Sequence, residues 1–223
     1  MSKNPFDPIF SELPETMPIF PLEGVVLLPR GDLPLNIFEP RYLSMVADSL
    51  KGSSRMIGII QPFGIQNAAN GDVVFRTGCA GRITHFSETE DGCYKVTLRG
   101  ICRFHVLKEL SPSASGYRII RPNWMSFEND MTAASCVLDR SSLCSLLRQY
   151  FEMQDITLDW PLLHEIEDDE ILMTMLAMIC PFSASEKQAL LEAPCCNSRL
   201  NLFMSLLEMS VRHGHDGCLG SAH

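Results

Sequence analysis

Between Met17 and about Met125, apolar and polar residues alternate in short runs broken by turn residues, the period-two signature of half-buried strands. "YKVTLRG" is the clearest run: Tyr94, Val96 and Leu98 face one way, Lys95, Thr97 and Arg99 the other. "CRFHVLKEL" continues it, with Cys102, Phe104 and Val106 on one side. Asp91–Gly92 just before predicts a tight hairpin turn, whose two central positions favour positive φ. "MIGIIQPF" is a short unbroken apolar run, the mark of a strand covered on both faces. Together these runs predict six or more short strands closing into a barrel or sandwich.

In the second half the period changes. Leu143, Leu146, Leu147, Tyr150 and Phe151 recur at helical spacing. Asp168, Asp169 and Glu170 stand at the positive end of a helix that carries Leu172, Met175, Leu176 and Ile179, and Pro181 stops it. Ser183 with Glu186 is a capping box opening a short helix that ends before Pro194. A last helix sets Leu200, Phe203, Leu207 and Val211 on one stripe. The chain therefore reads as α+β, a β domain followed by a small α-helical bundle. The expected divisions are a flexible arm over residues 1–16, the β domain over 17–130, the bundle over 131–212 and a disordered tail over 213–223.

Within the β part, "LPLNIFEPRYLSMV" runs an extended, proline-broken stretch straight into a helix. Pro40 suits the first helical position, Leu43, Val46 and Leu50 share a face, and Gly52 offers a C-terminal cap. This predicts one helix packed on the β domain. Glu39, Pro40, Arg41 and Tyr42 form a structural joint. The Glu39 carboxylate is placed to accept backbone N–H bonds, and Glu39 and Arg41 are expected to tie the turn to neighbouring strands. No nucleophile or base converges on it.

Composition narrows the field. No apolar run approaches the ~20 residues of a membrane-spanning helix, so no membrane partner is expected. The N-terminus carries one lysine, three acids and three prolines without an apolar segment, unlike a signal peptide, which points to the cytoplasm. Nine cysteines then read as reduced thiols. Residues 1–130 hold 13 basic against 14 acidic side chains and residues 131–223 hold 5 against 13, so neither half is a basic nucleic-acid binder.

The stretch "MPIFPLEGVVLLPRGDLPLNIFEPRYLSMV", followed by "MIGIIQP", resembles the start of the N-terminal domain of Lon proteases, a domain also found free-standing in bacteria. "SASEKQALLEAPCCNSRLNLFMSLLEM" resembles that family's later helical segment, so the resemblance spans about residues 17 to 210. It implies a PUA-like β barrel or sandwich plus a helical bundle, and a role in recognising polypeptide substrates. The ATPase and Ser–Lys peptidase of full Lon proteases have no counterpart in these residues, which lack a G-x-x-x-x-G-K-[ST] loop. The chain is accordingly expected to be non-catalytic.

Other constellations are weaker. The cysteines lack C-x-x-C spacing, and the tail string of His213, His215 and Cys218 has no fourth ligand, so no metal or other cofactor is expected. Cys102, Cys144 and Cys180 read as small core side chains, Cys195 and Cys196 as an accessible turn without a neighbour that lowers a pKa. His85 and His105 read as solvent-facing strand residues. Arg76, Arg82, Lys95, Arg99 and Arg103 form a basic stripe that is either a solvated face or, in the alternative reading, an RNA-binding surface of a PUA-like module. Among the methionines, Met175 reads as core, with Met173 and Met178 open between core and an adaptable groove.

The candidate peptide-binding lip is Phe20, Leu22, Leu33, Leu35 and Phe38, where prolines are expected to limit strand pairing and leave apolar surface. The resemblance and this lip together predict partners that are unfolded or partly unfolded polypeptides, with a protease or chaperone downstream. Their apolar segments would lie in a shallow groove between β domain and helices, and the acidic bundle would favour basic flanks.

Overall fold

Alternation and helical periodicity fold as their spacing dictates. The computed structural model describes residues 6–67, 71–133, 136–157 and 159–219. The β part comprises β1 (Met17–Pro21), β2 (Asp32–Ile37), the helix α1 (Pro40–Lys51), β3 (Met56–Ile60), β4 (Pro62–Asn67), β5 (Gly71–Val74), β6 (Thr77–Glu88), β7 (Tyr94–Glu109) and β8 (Arg118–Asn123). The helical part comprises α2 (Arg140–Met153), α3 (Trp160–Glu165), α4 (Asp169–Ile179), α5 (Ala184–Glu192) and α6 (Cys196–Leu219). The fold is α+β.

Six strands form one mixed sheet in the order β2-β7-β6-β3-β1-β8, and β4 pairs with β5 as a separate hairpin. β1 and β3 are the parallel pair, linked through β2 and α1; the remaining pairs are antiparallel. β7 is 16 residues long. Its first part holds β2 on one side and β6 on the other, while His105–Glu109 pairs with β8, so the sheet curls back on itself.

β3 is buried along its whole length, as its unbroken apolar run requires. Ile57 and Ile59 face one apolar cluster, Met56 and Ile60 a second, and β1 likewise splits Phe20 from Met17 and Ile19. The second cluster, centred on Phe104, fills the curl of the sheet. There Gly78 has no alternative, since a Cβ would meet both the Ile59 carbonyl and the Phe104 ring.

The first cluster continues from Phe20, Leu27 and Leu98 through Leu147, Leu176 and Phe203 to Val211, so strands and helices share one core. Gly31 marks their closest approach, where a Cβ would collide with Met178 and Thr174 of α4. Three of the helices, α2, α4 and α5, start on capping side chains: Asp139 accepts from Ser141 and Ser142, Asp168 from Glu170 and Ile171, and Ser183 makes the capping box with Glu186.

Gly52 caps the C-terminus of α1 as expected, its N–H bound to the Asp48 and Ser49 carbonyls at an ordinary φ of −75°. Two local expectations change. The loop between β6 and β7 is not a two-residue turn: Glu88 pairs with Tyr94, and only Gly92 takes positive φ (77°) while the Asp91 carboxylate binds Thr89 and Cys93. The stretch expected as a flexible arm makes specific contacts from Asp7 onward. Asp7 pairs with Arg82, Leu13 packs on the second cluster and the Trp124 indole donates to the Pro14 carbonyl at 3.2 Å. At the other end, the backbone of α6 continues as helix past 212 to Leu219; residues 220–223 lie outside the described residues.

Candidate functional site

At the joint, Glu39 is the N-cap of α1 and Pro40 its first residue. The Glu39 carboxylate does not cap the helix. It accepts from Arg41 Nε (3.1 Å) and Nη2 (2.9 Å), while its backbone carbonyl receives the Tyr42 and Leu43 amides. Nor does the pair reach a neighbouring strand. Arg41 instead stacks its guanidinium 4.5 Å from the Tyr42 ring centre. Tyr42 is buried and packs on Phe20 with ring centres 4.1 Å apart. The joint thus links α1 to β1 through the Tyr42–Phe20 ring contact.

The five lip residues separate into layers. Phe20 is only 8% exposed and backs the lip from beneath Tyr42. Leu22, Leu33 and Leu35 are half-buried against the first cluster. Phe38 is 69% exposed, at the end of β2. The prolines do not limit pairing here: all six residues of β2, Pro34 included, are in register with β7. Because β2 is an edge strand, a residue without an N–H is tolerated. Register places Leu33, Leu35 and Ile37 on one face with Leu98, Val96 and Tyr94, and Asp32, Pro34 and Asn36 on the other with Arg99, Thr97 and Lys95. Phe86 extends the apolar face through an edge contact with Tyr94, ring centres 4.9 Å apart.

The opposite face of β2 borders a groove of about 810 Å³ between sheet, N-terminal segment and helices. Its walls include Arg30, Asp32, His85, Thr97 and Arg99, with Asp7 and Pro8 at one side and Ile171 of α4 at another. Its lining mixes apolar groups such as Ile101, Met131 and Ile171 with charge-paired side chains. Arg30 binds Glu170 at 2.8 Å and Arg99 binds Asp32 at 2.9 Å. Arg30 adopts left-handed φ (68°), fixed by its amide to the Gly100 carbonyl and by that ion pair.

Of the expected basic stripe, Arg76 and Lys95 are exposed and Arg82 and Arg99 half-buried, but Arg103 is withdrawn from the surface. Arg103 is 3% exposed and belongs to a polar seam between sheet and α5. Gln61 donates to the Ala184 carbonyl (2.9 Å) and Gln188 to the Thr77 carbonyl (3.1 Å). Lys187 donates to the carbonyls of Gly24 and Met178, and burial lowers its pKa. Arg199 caps the Leu190 carbonyl at 2.9 Å. His105 is half-buried rather than solvent-facing, stacked on Phe127, and burial with the nearby Arg76 charge lowers its pKa. Met173, not Met175, is the fully buried methionine of α4.

The thiols also divide by environment. Burial pushes Cys180 up to about 12 and raises Cys79 and Cys102, as befits core side chains. Cys144 is half-buried and borders an apolar cavity of about 300 Å³ among Leu143, Leu147, Leu163, Leu172 and Leu176. Cys195 is exposed, and hydrogen bonds from the Ser198 hydroxyl (3.2 Å) and backbone lower its pKa, a neighbour the sequence did not reveal. No group of side chains able to hold a metal occurs among the described residues. The side chains of His213, His215 and Cys218 lie outside them.

Residues 16–209 match the family described as the ATP-dependent protease La (LON) substrate-binding domain. The chain is 24% identical over 198 residues to the Lon protease of Buchnera aphidicola subsp. Acyrthosiphon pisum, covering 88% of this chain and 25% of that protein. It is 24% identical over 202 residues to Lon protease 2 of Myxococcus xanthus, covering 88% and 24%. It thus spans about a quarter of the length of these curated relatives. Among solved structures, a Lon N-terminal domain protein from Xanthomonas campestris superposes with a TM-score of 0.58 at 22% identity, covering 85% of this chain and 97% of that one. The N-terminal domain of Mycobacterium avium complex Lon protease gives 0.57 at 12% identity, covering 88% and 98%. No helix among the described residues is long and apolar enough to cross a membrane. With the family model matching most of its length and its fold shared by these domains, the chain belongs to the LON substrate-binding domain family.

Proposed function

We propose that this chain is a non-catalytic polypeptide-recognition module of the cytoplasm, which holds exposed apolar segments of unfolded or partly unfolded clients for a protease or chaperone. The observation that carries the reading is Phe38, a large apolar side chain 69% exposed at the end of an edge strand. Leu33 and Leu35 on that strand, and Leu22, are half-buried against the first cluster, which also holds Phe20 and Tyr42. A client segment laid there buries apolar area, and contacts of this kind discriminate weakly among sequences. Membership in a family described as substrate-binding supports the same reading. The RNA alternative loses support because Arg82, Arg99 and Arg103 are each committed to an internal carboxylate.

The test is fluorescence anisotropy with a labelled, reduced and alkylated model polypeptide, at low and high salt. Binding that survives high salt and weakens in Phe38→Ala and Leu35→Ala, with circular dichroism unchanged, is the expected result. Binding unaffected by either substitution, or RNA binding lost at high salt in place of polypeptide binding, overturns it.

A further inference from the structure

A row of charge crosses the outer face of β2, β7 and β6. Asp32 lies in register with Arg99, and Arg99 with Arg82. Arg99 turns to Asp32, but Arg82 turns the other way. It donates from Nε (3.2 Å) and Nη2 (2.9 Å) to Oδ1 of Asp7, a residue 75 positions earlier. The pair is mostly covered, with Arg82 13% and Asp7 21% exposed. Asp7 and Pro8 thereby form one wall of the groove that Thr97, His85 and Arg99 also line.

What surrounds Asp7 contributes little burial. Phe6 is 77% exposed, Ile9 51%, and the 3-10 turn Phe10–Glu12 buries no residue. The first arm residue packed on either apolar cluster is Leu13, and the Trp124 indole donates to the Pro14 carbonyl. The start of the arm is therefore held to the groove through the Asp7 carboxylate outside both apolar clusters, a place from which a segment can open without disturbing the core.

We propose that residues 6–9 are a displaceable strap, and that Arg82 with the adjoining groove is a binding site for an acidic segment of a second polypeptide. Phe6–Asp7–Pro8–Ile9 is the resident occupant of that site. The chemistry recognised is a carboxylate in a two-bond grip on one guanidinium, carried on a bend that a proline follows. Because the strap is tethered, it competes at high effective concentration, and a ligand in trans gains access when the strap is released. The Arg82–Asp7 pair joins β6 to the N-terminal segment, whereas Phe38 follows the end of β2 and does not line this groove.

The experiment uses the full-length chain and, as probe, a fluorescein-labelled synthetic peptide copying residues 2–12. The Asp7→Ala chain is expected to bind this peptide roughly tenfold more tightly than the unsubstituted chain does, as loss of the internal competitor implies. Adding Arg82→Gln to the Asp7→Ala chain, replacing the peptide's aspartate by asparagine, or raising salt each weakens binding by a similar factor. Equal binding of the aspartate and asparagine peptides to the Asp7→Ala chain overturns the proposal, as does equal binding of the native peptide by the Asp7→Ala and unsubstituted chains. The peptide pair needs no substitution of Arg82, so the test stands even where Arg82→Gln fails to fold.

Discussion

Arg103 and Asp130 are joined by three hydrogen bonds: Nε to Oδ2 at 2.8 Å, Nη2 to Oδ1 at 2.7 Å and the Arg103 amide to Oδ2 at 3.0 Å. The remaining Arg103 nitrogen, Nη1, donates to the carbonyls of Leu191 (3.0 Å) and Ala193 (2.6 Å) at the end of α5. A cation at a helix C-terminus satisfies orphan carbonyls and meets the negative end of the helix dipole. One side chain of β7 thus joins the turn before the helices to α5, and its guanidinium lies 4.5 Å from the Phe127 ring centre.

Asp130→Ala leaves this buried guanidinium without its counter-charge. The expected cost is about 3–5 kcal/mol, the range for removing one partner of a buried pair. Urea unfolding checks it. A double substitution with Arg103→Met should cost less than the sum of the single changes; strict additivity would mean that the two side chains do not act together.

The lip predicts a contrast between two phenylalanines. Phe20→Ala opens a cavity under Tyr42 and is expected to cost about 3–5 kcal/mol. Phe38→Ala is expected to stay within about 0.5 kcal/mol, because its side chain is already in water. Paired thermal melts decide the matter, and comparable losses from both would show that Phe38 is structural.

Gly78→Ala forces a methyl against the Ile59 carbonyl and the Phe104 ring. Overpacking of this sort costs about 1–3 kcal/mol. A chemical-denaturation midpoint equal to that of the unsubstituted chain would contradict the close approach of β6 to β3.

Among the described cysteines, Cys195 should react first with a thiol reagent such as DTNB near neutral pH, because it is exposed and its pKa is lowered by Ser198. Ser198→Ala is expected to raise that pKa and slow the fast phase at fixed pH, and Cys195→Ser to abolish it. Cys79, Cys102 and Cys180, held up by burial, should react only on unfolding.

Serine hydroxyls and amides at the start of α2 hold Asp139 down at about 2, below the ordinary 3.8. A depressed carboxyl stabilises the folded state above its unfolded value and loses that contribution as pH falls through the folded one. Stability should therefore decline between about pH 4 and 2 partly through this cap, and Asp139→Asn should flatten that part of the profile. Acid titration followed by helical circular dichroism measures it.

The strands and helical stripes were legible because each repeats a simple period, and Leu200, Phe203, Leu207 and Val211 are all buried as spaced. Arg103 was not. Counting from Arg99, alternation assigns it to the polar face, and only the later packing of α5 and the Met125–Met131 turn covers that position. Period reports the face a side chain takes, not whether a distant element will cover that face. The same limit applies to Phe20, which lies in a strand covered on both sides, and to Cys195, whose partner Ser198 becomes a neighbour only when α6 starts to wind. The groove was equally hidden, since Asp7 and Arg82 are 75 residues apart.

The length of β7 has a consequence for how the chain acquires its structure. β6 and β2 can align on its first part soon after it emerges, but β1 remains without its antiparallel neighbour until β8, a hundred residues later, has been made. Closing that long loop costs chain entropy before its contacts repay it, so the curl is expected to be a late and rate-limiting event of folding. During synthesis the apolar edge of β1 waits for β8, and the nascent chain is itself, for that interval, an unfolded polypeptide with an unpaired strand.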